Sequence, residues 1–232
     1  ETVFAEPADA GWRVRYFSPE SEVPFCGHAT IALGAALARQ QGAGVFALQL
    51  NDARITVEGM TSGGIDSAAL QSPETRSQTA DRETTNNVLS LFGYTHDDLD
   101  EKLPPAFANA GANHFIVGLN SRVALSSMQY DLDIGRELMR RSDLVTVMFV
   151  YAESSDLFHS RNPFASGGVY EDPATGAASA AFAGYLRDLG WPHGGEINIV
   201  QGEDMGMRSL INVQLSDAVG SSIRVSGTVR EI

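Results

Sequence analysis

Glu171 to Gly190 reads EDPATGAASAAFAGYLRDLG, an acidic turn that runs straight into a helix. Asp172-Pro173 disfavours helix ahead of the turn, and Gly176 is small enough for another backbone to approach closely. Ala178, Ala181, Phe182, Tyr185 and Leu189 then recur at helical spacing, which predicts a helix from the turn onward. The first N–H groups of such a helix have no partner inside it and carry the positive end of its dipole. The PATG turn is therefore a seat for a carboxylate or other anion, with Asp172 at its rim.

The pattern occurs twice. Glu22-Val-Pro24-Phe-Cys26-Gly27-His28-Ala29-Thr30-Ile-Ala32 matches the stretch from Glu171 to Ala181, each residue 149 positions from its counterpart. Glu, Pro, Gly and two Ala coincide, and Leu37 falls on Leu186. Upstream, Arg15-Tyr-Phe17-Ser-Pro19 is echoed by Arg161-Asn-Pro-Phe164-Ala, with a small insertion before the second turn. Agreement over so many positions indicates two copies of one unit, each several strands plus one buried central helix. The predicted fold is α+β, with a first unit over residues 1–100 and a second over 101–232. The strand predicted near Ala106 precedes Glu171 by far more chain than precedes Glu22, so roughly 40 residues of the first unit are expected to be absent.

Composition narrows the function classes. The chain has 232 residues, 43% of them hydrophobic, enough to bury a sizeable core. Its net charge of −13, with no basic run, argues against nucleic acid or an anionic membrane surface as partner. No apolar run reaches about 18 residues and no signal peptide is evident, so a cytoplasmic location is the default expectation. Cys26 is the single cysteine, which excludes an intrachain disulfide. His114, His159 and His193 lack ligand spacing, and no metal site is expected.

Along the chain, Glu1–Glu6 and Trp12–Phe17 read as strands, and Gly27–Gln41 as an Ala-rich helix that is apolar nearly all round. Val45–Leu50 and Arg54–Glu58 form a predicted hairpin across Asn51-Asp52, followed by a strand at Ile65–Gln71. Ser72–Arg82 reads as a surface loop, Thr84–Phe92 as a helix stopped by Gly93, and the acidic patch Asp97–Glu101 as the linker between units. The second unit is expected to carry strands at His114–Leu119 and Leu144–Tyr151, a helix at Asp133–Arg141, and strands at Glu196–Val200, Leu210–Leu215 and Ile223–Arg230.

With both turns placed, the chain resembles the PhzF-like family of phenazine biosynthesis, which shares the diaminopimelate-epimerase fold. The matching residues are Glu1-Thr-Val-Phe4, Arg15 to Pro19, the EVPFCGHAT block from Glu22 to Thr30, the EDPATG block from Glu171 to Gly176, and Gln201-Gly202. The resemblance implies two pseudo-symmetric halves with the active site between them. It also implies a cofactor-free isomerase that moves a proton on a small carboxylate, as a homodimer. By position, Glu1 matches the family's acid/base glutamate, His28 the histidine of the first turn and Asp172 the aspartate of the second. Ala177 departs from the pattern, standing where the family usually has Ser, which removes a hydroxyl donor.

Each candidate has a plain alternative. Glu1 reads equally as a frayed terminal residue, His28 as a structural hydrogen-bonder and Asp172 as a helix cap. The twin turns and the resemblance favour a catalytic role for all three, with Glu1 as the group that takes and returns the proton. Gly27, Ala29, Thr30, Thr175, Gly176 and Ala177 are expected to bind the substrate carboxylate, mainly through backbone N–H groups, with Arg15 and Arg161 less involved. The second turn has no cysteine, so a two-thiol epimerase mechanism is excluded. An epimerase using Glu1 with Cys26 or His28, or a catalytically silent binding protein, are the competing readings.

Overall fold

The computed structural model describes residues 2–229; Glu1 lies outside the described residues, as do residues 230–232. The first repeat comprises β1 (Thr2–Ala8), β2 (Gly11–Phe17), β3 (Glu22–Val23), α1 (Gly27–Gln41), β4 (Gly44–Gln49), β5 (Arg54–Ser62) and β6 (Ile65–Gln71). Next come β7 (Arg76–Thr79), α2 (Arg82–Phe92), β8 (Ala106–Asn109), β9 (Asn113–Gly118), α3 (Arg122–Ser126) and α4 (Leu132–Arg141). The second repeat follows with β10 (Thr146–Ala152), β11 (Leu157–Phe164), β12 (Val169–Asp172), α5 (Gly176–Asp188), β13 (Glu196–Gln201), β14 (Ser209–Gln214) and β15 (Arg224–Val229).

The repetition in sequence is a repetition in topology. In the first repeat β2 pairs antiparallel with β1 and β3 but parallel with β4 across the central helix. In the second, β11 pairs antiparallel with β10 and β12 but parallel with β13. The last strands of the two repeats, β6 and β15, pair antiparallel with each other, so the halves form one continuous sheet rolled around two helices. The fold is α+β with two pseudo-symmetric halves. The insertion before the second turn appears as a register shift between Asn162 and Phe164 and a short 3-10 turn at Ala165–Gly167.

One expectation is overturned. Ser72–Arg82 is not all loop, because Arg76–Thr79 forms β7 and pairs antiparallel with β8. This strand is polar and little buried; ladder hydrogen bonds at the sheet edge hold it, and those leave no apolar alternation to read. Both β7 and α2 lie before the boundary read at residue 100, yet they pair and pack with elements beyond it. Val88, Leu89 and Phe92 of α2 join Phe115, Val117, Met139 and Phe149 in a second core. The other faces of β9 and β10 give Ile116, Met148 and Val150 to the main core. Strands buried on both faces explain why Leu144–Tyr151 is apolar at every position but Thr146.

Candidate functional site

The two central helices start against each other. A Cβ added to Gly27 would lie 2.6 Å from Gly176 Cα and 2.7 Å from Ala177 N, and one on Gly176 would lie 3.1 Å from Gly27 Cα. Only glycine allows the backbones so close. Intrahelical bonding begins with Thr30 N–H to Cys26 O at 3.0 Å and Ser179 N–H to Thr175 O at 2.9 Å. The N–H groups of Gly27, His28 and Ala29, and of Gly176, Ala177 and Ala178, precede these bonds. Neither helix has a side-chain cap on its start. Two positive dipole ends thus converge with their donors uncommitted to the helices, an arrangement that favours a bound anion.

Thr30 and Thr175, expected among the binding residues, instead brace the turns. The Thr30 hydroxyl donates to Cys26 O at 2.7 Å and pairs with the buried Tyr16 hydroxyl at 2.6 Å. Thr175 N–H donates to Gln201 Oε1 at 3.0 Å, and its hydroxyl donates to Asp172 Oδ2 at 2.7 Å. Gln201 Nε2 closes this knot by donating to Asp172 O at 2.6 Å. With their donors spent inside the turns, both threonines shape the seat without offering it a free N–H group.

Asp172 and His28 do come together. The Asp172 carboxylate is buried and its Oδ1 stands 3.7 Å from His28 Nδ1. His28 Nδ1 lies 2.9 Å from Ala174 O, a bond in which the ring must donate, so Nε2 is the basic nitrogen of the neutral ring. Cys26 Sγ sits beside that ring, 3.7 Å from Nε2 and 3.8 Å from Nδ1. The cross-repeat contact from His28 to Ala174 couples the two turns. Arg15 and Arg161 are each clamped by the glutamate of their own repeat, with Nε to Oε1 at 2.9 Å in both pairs. Arg161 is buried and spends its remaining Nη1 on Ser126 O and Met128 O, whereas Arg15 is half-exposed beside Glu22.

A cavity of about 20 Å³ lies beneath the turns, lined by Cys26, His28, Asp172 and Thr175 together with His114 and Thr146. His114 was not marked by the sequence, since its partner Thr146 is 32 residues away on a neighbouring strand. A wider hollow of about 540 Å³ along β4, β5 and β6 includes neither turn. Among the described residues no cluster of three or more His, Cys, Asp or Glu side chains is arranged for a metal, and no helix is long and apolar enough to cross a membrane.

The family model described as phenazine biosynthesis-like protein, PhzC-PhzF, matches residues 1–230. The chain belongs to this family. It is 33% identical to an uncharacterized isomerase of Mesorhizobium japonicum, over 98% of this chain and 81% of the relative. It is 30% identical to the trans-2,3-dihydro-3-hydroxyanthranilate isomerase of Pseudomonas aeruginosa, over 94% of this chain and 76% of that enzyme. A solved structure described as a predicted epimerase of Pseudomonas aeruginosa superposes with a TM-score of 0.83 at 24% identity, covering 97% of this chain and 79% of that one. The fold is thus shared with PhzF and epimerase-type proteins, and the chain is an isomerase of this family.

Proposed function

We propose that the cleft between the repeats catalyses a cofactor-independent proton shift on a small carboxylate. The substrate carboxylate sits on the N–H groups of Gly27, Ala29, Gly176 and Ala177, and Glu1 takes and returns the proton. The observation that carries this reading is the meeting of two uncapped helix starts at Gly27 and Gly176, with His28 and Asp172 at their rim. An anion held there gains from both dipoles, and the adjacent imidazole and carboxylate can orient it and relay a proton. The assignment of Glu1 rests on the sequence match; β1 begins at Thr2 opposite Phe17, on the strand that leads into the first turn. Ala177 lacks the hydroxyl that the family usually has there, so the substrate need not be the phenazine precursor. A homodimeric, cytoplasmic enzyme is part of the same reading, and light scattering would test the assembly.

The decisive experiment follows solvent deuterium into trans-2,3-dihydro-3-hydroxyanthranilate and a panel of small unsaturated carboxylates. Glu1→Gln keeps size and most hydrogen bonding but cannot exchange a proton, so turnover should fall ~10²–10⁴-fold with KM little changed. His28→Ala and Asp172→Asn should impair both constants. Full activity in Glu1→Gln would move the acid/base role to His28 and Asp172.

A further inference from the structure

His114 sits on β9, outside both turns, and the proton shift as described gives it no task. Its ring is fully buried, and burial pushes its pKa from the ordinary histidine value down to about 3. Such a ring is neutral at working pH, so one nitrogen carries a proton and the other is an acceptor. The neighbours decide which. His114 Nδ1 lies 2.8 Å from Thr146 Oγ1, which lies 3.4 Å from Asn162 Oδ1; we infer that the hydroxyl proton is directed at Asn162 and that Thr146 accepts from Nδ1–H. Nε2 is then the acceptor, and no described protein atom donates to it. A buried acceptor without a donor is costly, and in a native fold it marks a place where a donor is received.

The cavity that His114 lines supplies that place. It lies directly under the two helix starts and shares Cys26, His28, Asp172 and Thr175 with the seat. Its volume of about 20 Å³ exceeds the ~10–15 Å³ that one water needs by this measure. We propose that His114 is a further binding residue of the site, its Nε2 accepting a hydrogen bond from one small O–H or N–H donor seated in the cavity. In the free protein the donor is a water. In the complex it is a hydroxyl or amino group of the substrate, which makes His114 a specificity-determining residue. Only this second half rests on the carboxylate-isomerase reading.

Spectra of the free protein with ¹⁵N-labelled histidine read the tautomer directly. A neutral ring protonated at Nδ1 from about pH 7 to about pH 5 is expected; a proton on Nε2 would overturn the proposal. A crystal structure that resolves waters should place one within hydrogen-bond distance of Nε2, and a dry cavity would overturn it equally. For the complex, calorimetry with 3-hydroxyanthranilate, anthranilate and 3-hydroxybenzoate separates the donors. Wild type should prefer the probe whose donor reaches Nε2 by about 3- to 10-fold, and His114→Phe should erase that preference while keeping carboxylate binding. Equal weakening of all three probes would show a merely structural role. If none of the three binds either protein, the carboxylate reading fails, while tautomer and water still decide the role of His114.

Discussion

The helices α1 and α5 are two copies of one element, yet they live in different surroundings. In α5 every residue from Gly176 to Arg187 is buried, because β7, β8 and β9 add a second wall to the β14 and β15 side. In α1 the residues facing β5 and β6 are buried, but Ala32 is exposed and Ile31, Leu33 and Ala36 are only half-covered. The described part of the first repeat has no counterpart of β7–β9. The same contrast holds beside the turns, where Arg161–Glu171 is buried and Arg15–Glu22 is largely exposed. A shared Glu, Pro, Gly and Ala pattern therefore sets both helix starts, while the cover around them decides how much each contact contributes. The second repeat is the more enclosed half of the site.

Unequal cover should show first in the ion pairs. Glu171→Ala strands the buried Arg161, whose other donors hold Ser126 O and Met128 O, and should cost about 3–5 kcal/mol in chemical denaturation. Glu22→Ala should leave the unfolding midpoint nearly unmoved, since solvent screens the exposed pair. Equal losses would mean that burial does not separate the repeats.

At the contact between helices the order reverses. Gly27→Ala forces a Cβ into the Gly176 and Ala177 backbone, whereas Gly176→Ala meets its nearest atom at 3.1 Å. Prising the two starts apart by a fraction of an ångström to one ångström should reduce turnover by ~10²-fold for Gly27→Ala, with a smaller loss for Gly176→Ala. Steady-state kinetics on any substrate found by deuterium exchange would check both.

Along the helices, Ala181 and Ala32 occupy the same repeat position. Ala181→Leu overpacks a closed core and should destabilise by about 1–3 kcal/mol, while Ala32→Leu should be close to neutral. Thermal unfolding of the two variants compares them directly.

A further contrast is one of pH and belongs to the second half alone. The unfolded chain protonates His114 below about 6.5, but the folded chain resists until about 3. Between those values the unfolded state binds more protons, so stability falls as pH falls, by at most about 1.4 kcal/mol per pH unit. Urea unfolding at several pH values should show a shallower slope in His114→Phe. Because Asp172 and His28 line the same cavity, the difference between the two proteins is the informative quantity.

Much of this was legible in the sequence. Helix α1 spans the predicted Gly27–Gln41, the β4–β5 hairpin and β6 fall where alternation and Asn51-Asp52 placed them, and Gly93 closes α2 in the left-handed conformation, φ 70°. The glycines were legible because close backbone approach demands them. Strand β11 was not: His159, Ser160, Arg161 and Asn162 make it look polar, and the partners that let Arg161 be buried lie 10 to 35 residues away. His114 was illegible for the same reason, since the bond that fixes its tautomer comes from another strand. Long-range pairing, which no local pattern carries, separates the two groups.

The ladder between β6 and β15 has a consequence for how the chain comes apart. Its register runs from Asp66 opposite Val229 to Gln71 opposite Arg224, so the halves are joined by backbone hydrogen bonds as well as side-chain packing. Unfolding is expected to be a single cooperative transition rather than two. Cutting the chain between Ser72 and Thr75 would expose β6 on one fragment and β15 on the other as complementary edges. Mixed after separate expression, the two fragments should recognise each other by those edges and rebuild the cleft between them.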